Sequence, residues 1–273
     1  MSDNNHYTHS SPNMTFQYTD QTGATDDVAS PPPAAAQPRN VSMPTVTPIV
    51  VYVLLGLTVL VYLLQYASQT MLGFDLLAVY GVKSNEMIQQ GQIWRLFTPM
   101  FLHGSILHLG FNMYALYVIG AGLERFYGHG RFLTLYFLAG FCGNVISFLF
   151  TAAPSLGSST AIFGLLGAQG VFLYQNRGIF GRMAQRSLIN LVLIAGVNLV
   201  IGLSPGIDNW GHIGGLISGT LFAWFSGPLL RVKGIYPNLA LVDARSTGDA
   251  VRAAIGVAAL FAALAAAAMI MRL

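Results

Sequence analysis

Four polar side chains in an otherwise apolar chain are spaced as if to meet: His108 and Asn112, then Ser159, then His212. The first two are four residues apart, so on a helix they project from one face. His108 and Ser159 are separated by 51 residues, Ser159 and His212 by 53. Each interval is about two membrane-crossing helices plus loops, which returns the chain to the same side of a bilayer. A serine nucleophile needs a base to take its proton. The oxyanion formed by its attack on a carbonyl needs donors aimed in advance. A serine, a histidine and two further donors at one depth are the parts of acyl transfer.

Taken singly, each residue has a plainer reading. A serine in a membrane helix can bond to its own backbone. A histidine within a span is costly, and for His212 helix–helix hydrogen bonding competes evenly with function. His108 and Asn112 could simply tie two helices together. His6, His9, His103 and His129 are assigned no role. His103 and His108, five apart, would lie about 140° around a helix from each other, a poor pair for a metal. No HExxH or other zinc signature occurs, and neither metal nor cofactor is expected.

The elements that must carry these groups are membrane helices. The chain has 273 residues, 54% hydrophobic and 8% charged, against roughly 25% charged in soluble domains. The net charge of +3 has no basic cluster with it, which argues against nucleic-acid binding. A single cysteine, Cys142, excludes an intrachain disulfide scaffold. Seven apolar stretches of spanning length appear, at about 46–66, 104–122, 131–151, 159–176, 187–203, 210–229 and 252–271. Residues 1–45 are polar, aspartate-bearing and proline-punctuated, and read as a disordered cytoplasmic tail. With the N-terminus inside, ten Lys and Arg residues fall on the cytoplasmic side, and only Lys83, Arg95 and Arg272 fall outside. The sequons at Asn13 and Asn40 then lie on the cytoplasmic side. The second, fourth and sixth spans enter from outside, each with its polar groups near its start.

Packing signals agree with that convergence. Gly215 and Gly219 share the helix face of His212, and glycines so spaced let helix backbones approach closely. Phe163 shares the face of Ser159. Gly157 and the hydroxyls of "GSST" (157–160) mark a helix start inside the membrane, where free N–H groups and a positive dipole end are available to Ser159. The long connection 67–103 holds Phe74, Tyr80, Ile93 and Trp94. It is expected at the bilayer interface, with Trp94 and Arg95 as headgroup-level anchors.

These same stretches resemble the rhomboid intramembrane serine proteases. "WRLFTPMFLHGSILHLGFN" (94–112) is similar to that family's Trp-Arg loop followed by HxxxxHxxxN, and "GLERF" (122–126) to its Glu-Arg turn. "GSSTAIFG" (157–164) resembles GxSG, with Thr160 where glycine is usual, and "GHIGGLISG" (211–219) resembles HxxGxxxG. The resemblance implies an all-α polytopic membrane helical bundle, a six-helix core (46–230) followed by a cytoplasmic linker (231–251) and an additional C-terminal helix (252–273). It implies Ser159 as nucleophile and His212 as base, with no third acid. His108, Asn112 and the Ser159 amide would bind the oxyanion, and Phe163 would pack on the catalytic histidine. Asp208, four residues before His212, is expected to be an exposed loop residue rather than a third member.

The implied partners are transmembrane protein substrates and the lipid bilayer, with the oligomeric state open. The expected location is a cell membrane, with the active site opening outward. Two other readings compete. A non-catalytic relative that binds transmembrane clients would lack the serine or the histidine. A small-solute transporter would show paired interrupted helices and mid-membrane charge, and neither is evident.

Overall fold

A computed structural model of the chain describes residues 43–235 and 238–271. Most of the expected tail, with its sequons, His6 and His9, lies outside the described residues, as does Arg272. The architecture is an all-α polytopic bundle, with ten α-helices and two short strands among the described residues. Residues 45–230 and 243–271 form the helical body. Residues 231–242 group separately and contain most of the strand pair β1 (Leu230–Lys233) and β2 (Ala240–Asp243), which the hydropathy pattern did not reveal.

The helical body starts with α1 (Ile49–Leu72), long and apolar enough to cross a membrane. Helix starts leave backbone N–H groups without partners. Here the Val50 and Val51 amides each donate to the fully buried Glu124 carboxylate at 2.8 Å. His129 Nδ1 is 2.6 Å from the same carboxylate. The Glu-Arg stretch is therefore a cap supplied by a distant part of the chain.

The second and third expected spans form one stretch of 45 residues: α4 (Ile106–Ala115), a π-helical turn (Leu116–Gly120) and α5 (Ala121–Phe150). It breaks at Gly128, whose φ of 73° suits glycine. α8 (Arg182–Ile201) and α10 (Thr247–Met271) complete the four stretches long and apolar enough to cross. α10 begins five residues ahead of the expected 252.

α6 (Ser159–Gln175) and α9 (Asn209–Ser226) are shorter and glycine-rich, and they pack on each other and on α5. Their backbones touch. A Cβ added at Gly215 would collide with the Thr160 carbonyl, and one at Gly219 with the Gly164 carbonyl. Twelve of the seventeen residues of α6 are buried. The C-terminus of α9 is closed by Arg245, which donates to the carbonyls of Ala223, Trp224 and Gly227. A cation suits that end of a helix.

The long connection after α1, expected at the bilayer interface, is folded. It holds the short helices α2 (Leu76–Gly81) and α3 (Asn85–Gln89), capped by Asp75 and Ser84, and two 3₁₀ turns. Arg95 does not anchor to headgroups. It is buried, and its guanidinium donates to the carbonyls of Val79 and Val82, pinning the connection to itself. Trp94 stays half-exposed, with its indole N–H on the Tyr80 carbonyl.

Lys83 is fully buried, its ammonium donating to Asn85 Oδ1 and to the Thr151 carbonyl at the end of α5. Asn85 and Asn144 reach across to the carbonyls of Phe148 and Leu96, and Gln65 of α1 accepts from the His103 amide. Polar side chains thus dock this segment onto the helices, each bond satisfying a group that burial would otherwise leave unpaired.

Candidate active site

Ser159 is the first residue of α6, after Ser158 at the N-cap and Gly157 at φ 128°. The Gly157 amide donates to the Pro99 carbonyl, which ties this turn to the docked connection. Because Ser159 begins the helix, its N–H and those of the next two residues have no partner in the helix and face the same end. His212 sits in the first turn of α9, capped by Asp208, whose carboxylate accepts from the Gly211 amide.

The glycine contacts between α6 and α9 bring the two helix starts together. His212 Nε2 lies 2.9 Å from Ser159 Oγ. Phe163, one turn along α6, stacks face to face on the imidazole, with centroids 4.3 Å apart and planes 8° from parallel. His212 Nδ1 is buried without a hydrogen-bond partner. The ring is therefore oriented by stacking and by its bond to Ser159, and no acid holds it.

Asp208 does not lie in an exposed loop. It is partly buried, and besides capping α9 it accepts from Ser147 and from Thr151 Oγ1. Its position at the N-cap turns the carboxylate toward the end of α5 and leaves Nδ1 of His212 alone.

His108 is at the third position of α4, where the Ser105 side chain caps the helix by accepting the His108 amide. Its imidazole faces Gly157. A Cβ placed on that glycine would lie 2.8 Å from His108 Nε2 and 3.7 Å from Ser159 Oγ. Only glycine leaves this space open, and the open space separates the hydroxyl from the imidazole. Asn112 is buried on the same helix face, with one amide hydrogen donated back to the His108 carbonyl. Ser159, His212, Phe163 and His108 thus converge, Gly215 and Gly219 set the helix contact beneath them, and Asn112 is turned onto its own helix.

One neighbour of the site, assigned no role from sequence, is His103. It is buried, its ring centroid 5.0 Å from that of His108 and its Nε2 3.4 Å from Ser158 Oγ. The helical-wheel argument that separated the two histidines does not apply, since α4 begins only at Ile106. Among the described residues no cluster of His, Cys, Asp or Glu could hold a metal.

Comparison with known proteins returns one family. The rhomboid domain model matches residues 90–229, which include all these residues. The chain is 42% identical over 173 residues to rhomboid protease GluP of Bacillus subtilis (strain 168), covering 63% of this chain and 34% of that protein. It is 36% identical over 155 residues to the Arabidopsis thaliana RHOMBOID-like protein 9, chloroplastic (56% of this chain, 36% of the relative). It is 40% identical over 146 residues to RHOMBOID-like protein 7 of the same plant (51% and 44%). The chain therefore spans between about a third and under half of the length of these relatives.

Proposed function

The chain belongs to the rhomboid family, and on that premise we propose that it is a serine endopeptidase that cleaves peptide bonds within or next to the transmembrane segments of membrane-anchored proteins. The observation that carries the proposal is the 2.9 Å approach of His212 Nε2 to Ser159 Oγ beneath a stacked Phe163. The match to a relative named as a protease supports it.

In this reading Ser159 Oγ attacks the scissile carbonyl carbon while its proton passes to His212 Nε2. The tetrahedral oxyanion accepts hydrogen bonds from the Ser159 N–H, from His108 Nε2–H and from the second amide hydrogen of Asn112. His212 then gives its proton to the leaving amine, which frees the C-terminal fragment. Water, deprotonated by the same imidazole, attacks the acyl-serine ester, and the proton returns to Ser159 as the acid product leaves. In a triad, a carboxylate orients the histidine and stabilises its cation. Here the orienting part falls to Phe163. The face of an aromatic ring also attracts a cation, so the stack stabilises the imidazolium formed during attack.

Two further parts belong to this reading. α6 and α9 are the short central spans of a six-plus-one bundle, wrapped by helices that meet lipid on their behalf. The charge distribution supports a cytoplasmic N-terminus and a site that opens outward. Hydrolysis needs water there, and buried polar groups with no other partner favour its presence.

Labelling by a fluorophosphonate tests the assignment. The wild-type chain should be labelled on Ser159, Ser159→Ala should not be labelled, and His212→Ala should be labelled far more slowly. Equal labelling of all three proteins would overturn the proposal.

A further inference from the structure

A groove of about 590 Å³ lies over α6, between α8 and α9. Its volume falls within the roughly 300–1,000 Å³ of small-molecule sites. Leu166, Val171, Leu191 and Val192 contribute apolar walls. The space beside Gly170 and Gly196 is open, since a Cβ at either would meet no atom within 4 Å. α8 itself has only Ala184 and Leu191 buried. A groove with these walls in the hydrocarbon layer fits an acyl chain.

One end of the groove is different. Tyr174 and Trp224 close it as a stacked pair with centroids 6.1 Å apart, and Gln175 donates to the Trp224 carbonyl. Arg177 lies over the Tyr174 ring at 4.4 Å and donates to the Tyr174 carbonyl. Arg182 and Arg186 follow on the first turns of α8, whose later residues line the groove. All three arginines are exposed, and among the described residues none has an acidic partner. Between Glu124 and Asp208 the chain has no acidic residue at all. Aromatic rings followed by unpaired cations are what a lipid headgroup region recognises.

We infer that this groove is a binding site for one anionic phospholipid, with an acyl chain against α6 between α8 and α9 and the phosphate on Arg177 and the α8 arginines. The occupant's negative charge follows from three cations without a counter-ion. Its lipid character follows from the apolar groove, whose Tyr174 end Arg177 adjoins. The inference does not rest on the protease reading.

Trp224 lines the groove and reports on it directly. The full chain carrying Trp94→Phe and Trp210→Phe keeps Trp224 as its sole tryptophan. In phosphatidylcholine vesicles, dibrominated phosphatidylglycerol should quench this tryptophan at a several-fold lower mole fraction than dibrominated phosphatidylcholine. Arg177→Gln should reduce that preference about fivefold, the effect of one cation near an anionic headgroup. Gly196→Leu, which fills the groove, should weaken quenching by both lipids. If its thermal unfolding shows that it is poorly folded, Gly170→Leu serves the same purpose. Equal quenching by the two lipids, or quenching unchanged by a folded groove-filling variant, would overturn the inference.

Discussion

Ser159 and His212 would form a reactive pair because one starts α6, the other lies in the first turn of α9, and the two helix starts are pressed together. Among the described residues the hydroxyl has no other hydrogen-bond partner, and the imidazole is stacked on Phe163, so neither side chain needs to reorganise before proton transfer. The proposed oxyanion donors are less prepared. His108 faces the space that Gly157 leaves open, whereas one Asn112 hydrogen is committed to its own helix. Losing an oxyanion donor typically costs about 100–1,000-fold in turnover, and His108→Ala should fall in that range. Asn112→Ala should cost less, because its amide must share. Both variants should remain folded and still be labelled slowly on Ser159. Turnover unaltered in the double variant would remove α4 from the chemistry.

At this scale the approach of Ser159 to His212 was legible. Serine and histidine in spans are expensive unless used, and their spacing placed the two helix starts on one side. His103 was not legible, because its contact with His108 depends on where α4 starts. Asp208 was misread because hydropathy says nothing about an N-cap carboxylate that also takes hydroxyls from a neighbouring helix.

The elements that hold the site are the α6–α9 contact and the docked connection ahead of α4. The first was visible as glycines at helical spacing. The second was not, since carbonyl-directed bonds from Arg95, Lys83, Asn85 and Asn144 leave no periodic trace. Arg95 was read as a headgroup anchor and Lys83 only as a charge on the outer side, and both are buried. Lys83 gives a measurable consequence. Burial lowers its pKa to about 8, against the smaller opposing pull of the Asp208 charge. Between that value and the ordinary lysine pKa of about 10.4, the unfolded chain holds more protons than the folded one. Stability should therefore rise with pH across that window, because the cost of burying the cation disappears. Thermal unfolding of the detergent-solubilised protein should show this rise, and Lys83→Met should flatten it. Tyrosines and Lys233 are common to both proteins, so the difference isolates Lys83. An identical pH slope in the two would mean that Lys83 is not buried as a cation.

For the whole molecule, the proposed orientation rests on arginine and lysine placement, and Arg177, Arg182 and Arg186 fall at the end opposite Ser159. Ala153 is exposed in the turn before α6, and Gln185 is exposed on α8. In a Cys142→Ala background, cysteine at position 153 should react with an impermeant thiol reagent applied from outside. Cysteine at position 185 should react only after permeabilisation. The reverse pattern would put the site on the cytoplasmic face. The chain matches only part of each relative, so activity has to be measured on this chain itself. The most direct measurement is cleavage of a single-span membrane-anchored reporter by the purified protein in liposomes, with product termini read by mass spectrometry. The account predicts one or a few cuts within or next to the span for the wild type, and none for Ser159→Ala or His212→Ala. Cleavage that persists in Ser159→Ala would contradict it, as would a folded, fluorophosphonate-reactive wild type that cuts no such reporter.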